Sequence, residues 1–323
     1  MKLRLLLLCC LMVVGAQGHR AEVKFPEETQ NAALRYWMAF AEMQDPFADQ
    51  TIKDLLEKTA AGQAAWDELK LGPILDSNGE ALRIMQRAAK LLDCDWGLEY
   101  GIGPKVPIAY LTRARVMARL NILQAMRETA AKNSQAALEC CLAGVRFSAH
   151  LAKGGSLISG LTAKSALLPH LRMLTLEARN GRLTGAQTRQ ILATLEMLPE
   201  DGFNWSNAWE IEQLLVEVFL AELRSSKNPK ATFEASMGEA MPEGMAVPSP
   251  NDLRTFREYM AGVKDALKLS PDAAKARLDR LETQKRTLNE LTRRLIPASK
   301  KVNEARGEIF VARKALLDAL ATR

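Results

Sequence analysis

Three carboxylates and two aromatic rings crowd into one short stretch of this chain, Asp93-Cys94-Asp95-Trp96-Gly97-Leu98-Glu99-Tyr100, with Gly101 and Gly103 just beyond. Paired acids beside a flat ring are what glycoside hydrolysis needs: a proton donor, a nucleophile or base, and a face for the sugar. Asp93, Asp95, Trp96, Glu99 and Tyr100 are therefore candidate ligand-binding residues. A plainer reading has Asp93 or Asp95 capping helix amides while the two rings fill the core. Loops of this composition more often serve that second purpose, so the stretch is a binding candidate and no catalytic residue is assigned to it.

Elsewhere the reactive groups are sparse. The histidines are His19, His150 and His170; the sequence contains no His-Glu-x-x-His motif, no cysteines two residues apart and no glycine-rich loop ahead of Lys-Ser/Thr. His150 and His170 flank a Gly154-Gly155 turn and could approach one another, but no carboxylate shares their stretch, so no metal site is read there. Met237, Met241 and Met245 recur every four residues, a spacing that could gather thioethers around Cu(I), yet Pro242 breaks the helix that would align them. No cofactor is implied. In an oxidising compartment Cys94 has Cys140 or Cys141 as disulfide partner, with Cys94–Cys140 the pairing carried forward. Neighbours in a helix point about 100° apart, which argues against a Cys140–Cys141 bridge. The reading favoured over that bridge is three buried thiols behaving as small apolar side chains.

The elements that position these groups are helices. Of the 323 residues 48% are hydrophobic and only 6% aromatic, and the abundant types are those that lose least on entering a helix. Period-two alternation of β-branched and polar residues is missing. Trp37, Phe40 and Ala41 share a stripe after Pro26 and Glu27. Shorter helices are expected over 50–60 and 63–71, the latter stopped by Gly72-Pro73, and a further one bears Leu82, Met85, Ala89 and Leu92. The spacing then predicts long helices over about 108–131, 134–153, 157–178 and 184–198, separated by Lys132-Asn133, Gly154-Gly155 and Asn180-Gly181. Amphipathic helices joined by turns this short pack as antiparallel neighbours. The fold class is all-α: antiparallel helical hairpins forming a bundle or short α-superhelix.

The turn Arg127-Glu128-Thr129-Ala130-Ala131-Lys132-Asn133-Ser134-Gln135-Ala136-Ala137-Leu138 resembles the junction between the two helices of a tetratricopeptide-type unit, over roughly residues 108–152. The helix starts depart from the 34-residue period of true tetratricopeptide arrays. With its early Trp-bearing helix and Asp-Trp-Gly loop, the chain also resembles secreted all-helical bacterial proteins of unknown function, which implies an envelope location and no particular chemistry.

Residues 19–225 are read as this helical-repeat-like domain and 226–250, with four prolines, as a linker or mobile loop. Residues 251–323 are read as a coiled-coil-like helical hairpin on the seven-residue recurrences Leu281, Leu288, Leu295 and Val302, Ile309, Leu316. Residues 194–250 hold 3 basic and 10 acidic side chains, whereas 251–323 hold 17 and 10. The basic hairpin therefore either docks on the acidic region or makes peripheral contact with an anionic surface; the first is favoured.

Residues 1–18 read as a cleaved signal peptide: Lys2 and Arg4, an apolar run from Leu5 to Val14, and small residues at Ala16 and Gly18. The run is too short to span a bilayer, which needs about 20 residues. Leu8 ahead of Cys9 argues against lipidation. Removing the leader leaves 42 basic against 38 acidic side chains, a balance too mild to favour nucleic acid. The expectation is an exported binding or scaffold protein of the periplasm, envelope or exterior that engages a protein or peptide partner, with an enzyme less favoured. The alternative is a glycan-binding or glycan-active protein built on the Asp93–Tyr100 loop.

Overall fold

A computed structural model describes residues 28–45 and 50–322. The leader, His19 and the Pro26-Glu27 pair lie outside the described residues. Those that are described form an all-α protein, with one isolated parallel bridge between Asn31 and Asp93 as their sole β feature.

Four short helices come first: α1 (Ala32–Glu42), α2 (Gln50–Ala60), α3 (Glu68–Ser77) and α4 (Gly79–Ala88). A loop with a 3-10 turn (Tyr100–Lys105) leads into the central set, α5 (Tyr110–Ala130), α6 (Ser134–Ala152), α7 (Leu157–Arg179) and α8 (Gly185–Leu195). Each of the last three begins where a side chain accepts a free amide: Asn133 for α6, Ser156 for α7 and a Thr184/Gln187 capping box for α8. Lys132, Gly155 and Gly181 turn the chain with positive φ. Two tight reversals in succession make α5 and α7 run parallel to one another, both against α6.

Close approach holds this set together. A Cβ on Gly144 of α6 would meet the His170 ring of α7 at 2.2 Å, and one on Gly160 would meet Trp205 at 3.0 Å. Both positions therefore need a hydrogen where other residues carry a side chain.

The remaining helices are α9 (Trp205–Ser225), α10 (Pro229–Met237), α11 (Pro250–Ala266), α12 (Pro271–Lys285), α13 (Glu290–Leu295) and α14 (Ser299–Ala321). Three expectations change here. The stretch 226–250 contains α10, whose Phe233 is buried against Phe219, and Met241 and Met245 pack on the core. The C-terminal region is four helices: Ser270 caps α12, and Asn289 accepts the Leu291 amide and starts α13 inside the leucine repeat. Near the N-terminus, Asp67 caps α3, which then runs through Gly72 and Pro73.

The C-terminal helices are built into the body. α14 lies along α7 and α12, and α11 along α9. Ion pairs Arg257–Glu217 (3.0 Å), Lys264–Glu210 (2.7 Å) and Lys164–Glu308 (2.7 Å) cross these seams. Arg306 is 1% exposed; it pairs with Asp201 at 2.7 Å and donates to the carbonyl of Leu269 and the side chain of Asn303. A buried guanidinium needs such a full set of acceptors. Much of the basic charge assigned to the hairpin thus meets carboxylates and carbonyls of the same chain.

Candidate functional site

The acidic-aromatic loop is a clasp. Asn31 grips both backbone groups of one residue: the Asp95 amide donates to Asn31 Oδ1 (2.8 Å), and Asn31 Nδ2 donates to the Asp95 carbonyl (2.9 Å). The Ala32 amide donates to the Asp93 carbonyl at 2.8 Å. Trp96 is 7% exposed and stacks on Tyr110 (centroids 4.3 Å apart), Tyr36 (5.8 Å) and Phe40 (6.3 Å), while its indole N–H donates to the His150 carbonyl (2.8 Å). The Asp95 carboxylate accepts the Gly97 amide, and Asp93 and Glu99 point into solvent. Tyr100 is half-buried, its hydroxyl enclosed near Gly155 and Ser156. The five candidate residues do not converge on a cleft, and Trp96 has no face free for a sugar. The sequence alone left this open because the ring's partners lie on α1, α5 and α6.

The histidines take separate partners. His150 Nδ1 meets the Tyr36 hydroxyl at 2.7 Å. His170 Nδ1 bonds the Ala166 carbonyl (2.7 Å) and so carries the proton, leaving Nε2 to accept from Asn121 (3.0 Å). Burial holds both rings near pKa 4, with Lys153 and Arg146 adding to the effect at His150. Both are neutral packing groups. Cys94, Cys140 and Cys141 are free and buried, so the Cys94–Cys140 bridge is not formed; Cys94 sits in the clasp, whereas Cys140 lies beside Gln86 and Asn121. Burial raises the Cys94 and Cys140 thiols to about 12, which keeps them protonated. Among the described residues no three His, Cys, Asp or Glu side chains gather as a metal site requires.

A concavity lies elsewhere, in a trench between α2, α5 and α7. One end has a volume of about 760 Å³ and is walled by Lys58, Arg115, Arg119, Lys164 and Arg172 against two carboxylates, Asp54 and Glu57. The other end, about 360 Å³, is lined by Trp66, Met126, Met173 and Leu176, and the two ends share Ile122, Pro169 and Arg172. On α5 the positions 115, 119, 122 and 126 form one helical stripe, so a single face supplies both cations and apolar floor. Arg115 donates to the Thr162 hydroxyl (3.3 Å), which fixes the register of the parallel pair α5 and α7. Arg119 pairs with Glu57 at 3.2 Å. Pro169, inside α7, has no N–H to offer the Ser165 carbonyl, and both residues line the trench.

Comparison of the chain with protein-family models, with curated proteins and with solved structures returned no match.

Proposed function

We propose that this chain is an exported helical binding protein that holds a peptide or protein segment in the trench between α2, α5 and α7. The observation that carries the reading is the trench itself, an open groove whose wider end alone matches the volume of ordinary ligand sites. Its length favours a chain segment over a compact metabolite. From position 115 to 126 the floor runs about 17 Å at 1.5 Å per helical residue. The lining is suited to holding: cations, alkyl side chains and an indole. The Ser165 hydroxyl donates to the Thr162 carbonyl at 2.7 Å and is not aimed at a ligand. Export rests on the leader-like residues 1–18, and the tetratricopeptide-type turn at Arg127–Leu138 agrees with a role in gripping a partner.

The test uses photo-crosslinking side chains placed at Leu161 and Leu176, which line the trench and are 41% and 55% exposed, and at Leu69, which is 91% exposed outside it. In cells that make the protein, the two trench positions should yield a discrete peptide-containing adduct that the Leu69 position does not. Equal labelling from all three, or adducts containing no peptide, would overturn the proposal.

A further inference from the structure

We infer that the trench selects a segment bearing several carboxylates at one end and apolar side chains at the other, an acidic-amphipathic peptide. This rests on the binding role proposed above and specifies the chemistry of the occupant.

The cations of the trench divide by what they already hold. Arg119 is paired with Glu57, and Lys164 with Glu308. Arg115 has only the neutral Thr162 hydroxyl. Lys58 and Arg172 make no side-chain hydrogen bond or ion pair among the described residues. Lys58, Arg115 and Arg172 thus have no ion-pair partner among the described residues, and with Asp54 as the one carboxylate of that wall outside an ion pair the balance stays positive; low-dielectric walls strengthen its pull on an anion.

Spacing decides what kind of anion fits. Arg115 sits level with Thr162, and Arg172 lies ten residues further along α7, about 15 Å at the helical rise. A fatty acid carries one carboxylate and answers one of these positions. A peptide carrying carboxylates along its length answers all of them. Beyond Arg172 the lining turns to Met126, Met173, Leu176 and Trp66, with the charges of Glu177 and Arg182 paired to each other at 3.1 Å, so the occupant becomes apolar at that end. Soft, unbranched methionines adapt to varied side chains, as in other peptide-binding grooves.

The experiment is fluorescence anisotropy with the purified protein and three labelled synthetic twelve-residue peptides. One has a Glu-rich half followed by a Leu/Met-rich half, the second has Lys for every Glu, and the third has the first composition with acidic and apolar residues interspersed. The first should bind saturably, about tenfold or more tighter than the second, and more weakly as salt is raised. The variant Lys58→Glu/Arg115→Glu/Arg172→Glu should weaken the first peptide at least tenfold, while Lys301→Glu on α14 leaves it unchanged. All four positions are on the exposed surface, and a thermal melt confirms that each variant is folded. If the first and second peptides bind alike, or the triple variant binds as tightly as the parent, the charge assignment is wrong while the binding role stands. If dodecanoate binds and none of the peptides does, the trench is a site for a lipid-like acid, and both the inference and the role fall. A third peptide that equals the first overturns the two-ended arrangement.

Discussion

The clasp at Asp93–Tyr100 and the trench at α2, α5 and α7 both set polar side chains beside apolar ones, and both draw on α5. In the clasp the polar groups that hold the loop are answered by the chain itself: the Trp96 indole N–H by the His150 carbonyl, both ends of Asn31 by Asp95, the His150 ring by the Tyr36 hydroxyl. In the trench Lys58, Arg115 and Arg172 face the concavity outside any ion pair, against the single unpaired carboxylate of Asp54. Saturated hydrogen bonding is how a fold secures its own loops, since each buried group left unmade costs about 1–3 kcal/mol. Charge left uncompensated inside a concave surface is instead available to something outside the chain. By this criterion the clasp belongs to stability, and the trench is the region to which the proposed binding is assigned.

The sharpest way to break the comparison is Trp96→Ala. If the clasp is structural, urea denaturation should show a loss of about 3–5 kcal/mol, the usual cost of emptying an aromatic site in a core, with peptide binding in the trench retained wherever the protein remains folded. A loss of binding without a loss of stability would return the loop to the list of ligand sites.

Acid offers the second test. Folded, His150 sits near pKa 4 because of burial first and the Lys153 and Arg146 charges next, against its ordinary 6.5. Between those values the unfolded chain takes up a proton that the native ring refuses. The contribution of its neutral burial is complete above about 6.5 and drains as pH falls toward 4. His150→Gln should flatten the stability-versus-pH curve in that window by at most about 3 kcal/mol relative to the parent. An unchanged slope, followed by denaturation at several pH values, would mean that the ring is wet.

The smallest effect belongs to the trench. Arg172→Glu should shift unfolding free energy by no more than about 0.5 kcal/mol, as for surface substitutions that break no contact. A larger loss would show that Arg172 has a partner in the fold and remove it from the binding argument.

The fold was largely legible because its breaks are local. Asn133 as a cap and Gly155 and Gly181 at positive φ are properties of single residues and their neighbours. The helices read as 108–131, 134–153 and 157–178 accordingly occur at Tyr110–Ala130, Ser134–Ala152 and Leu157–Arg179. The C-terminal break escaped because Leu281, Leu288 and Leu295 keep their spacing whether the helix is continuous or jointed; Asn289, a cap residue, was the available signal. The loop kept two readings, with the core-filling one favoured, because burial of Trp96 depends on Tyr36, some 60 residues away. The trench was missed for a related reason. Lys58, Arg115 and Arg172 lie on three helices, and each alone looks like an ordinary solvated charge. Only the stripe Arg115, Arg119, Ile122, Met126 hinted that one face of α5 mixes cations with apolar groups.

The last helix has a consequence for how the chain matures. α14 covers a flank of α7, and Arg306 and Arg313 fasten it to the carbonyls and carboxylate of residues 198–201 and 269. The contacts to residues 198–201 join segments more than a hundred residues apart, so they close late, after the rest of the polypeptide has emerged. Until the final residues arrive, α7 lacks one of its supports. Assembly of the trench wall that α7 contributes is therefore completed only when this last helix has docked.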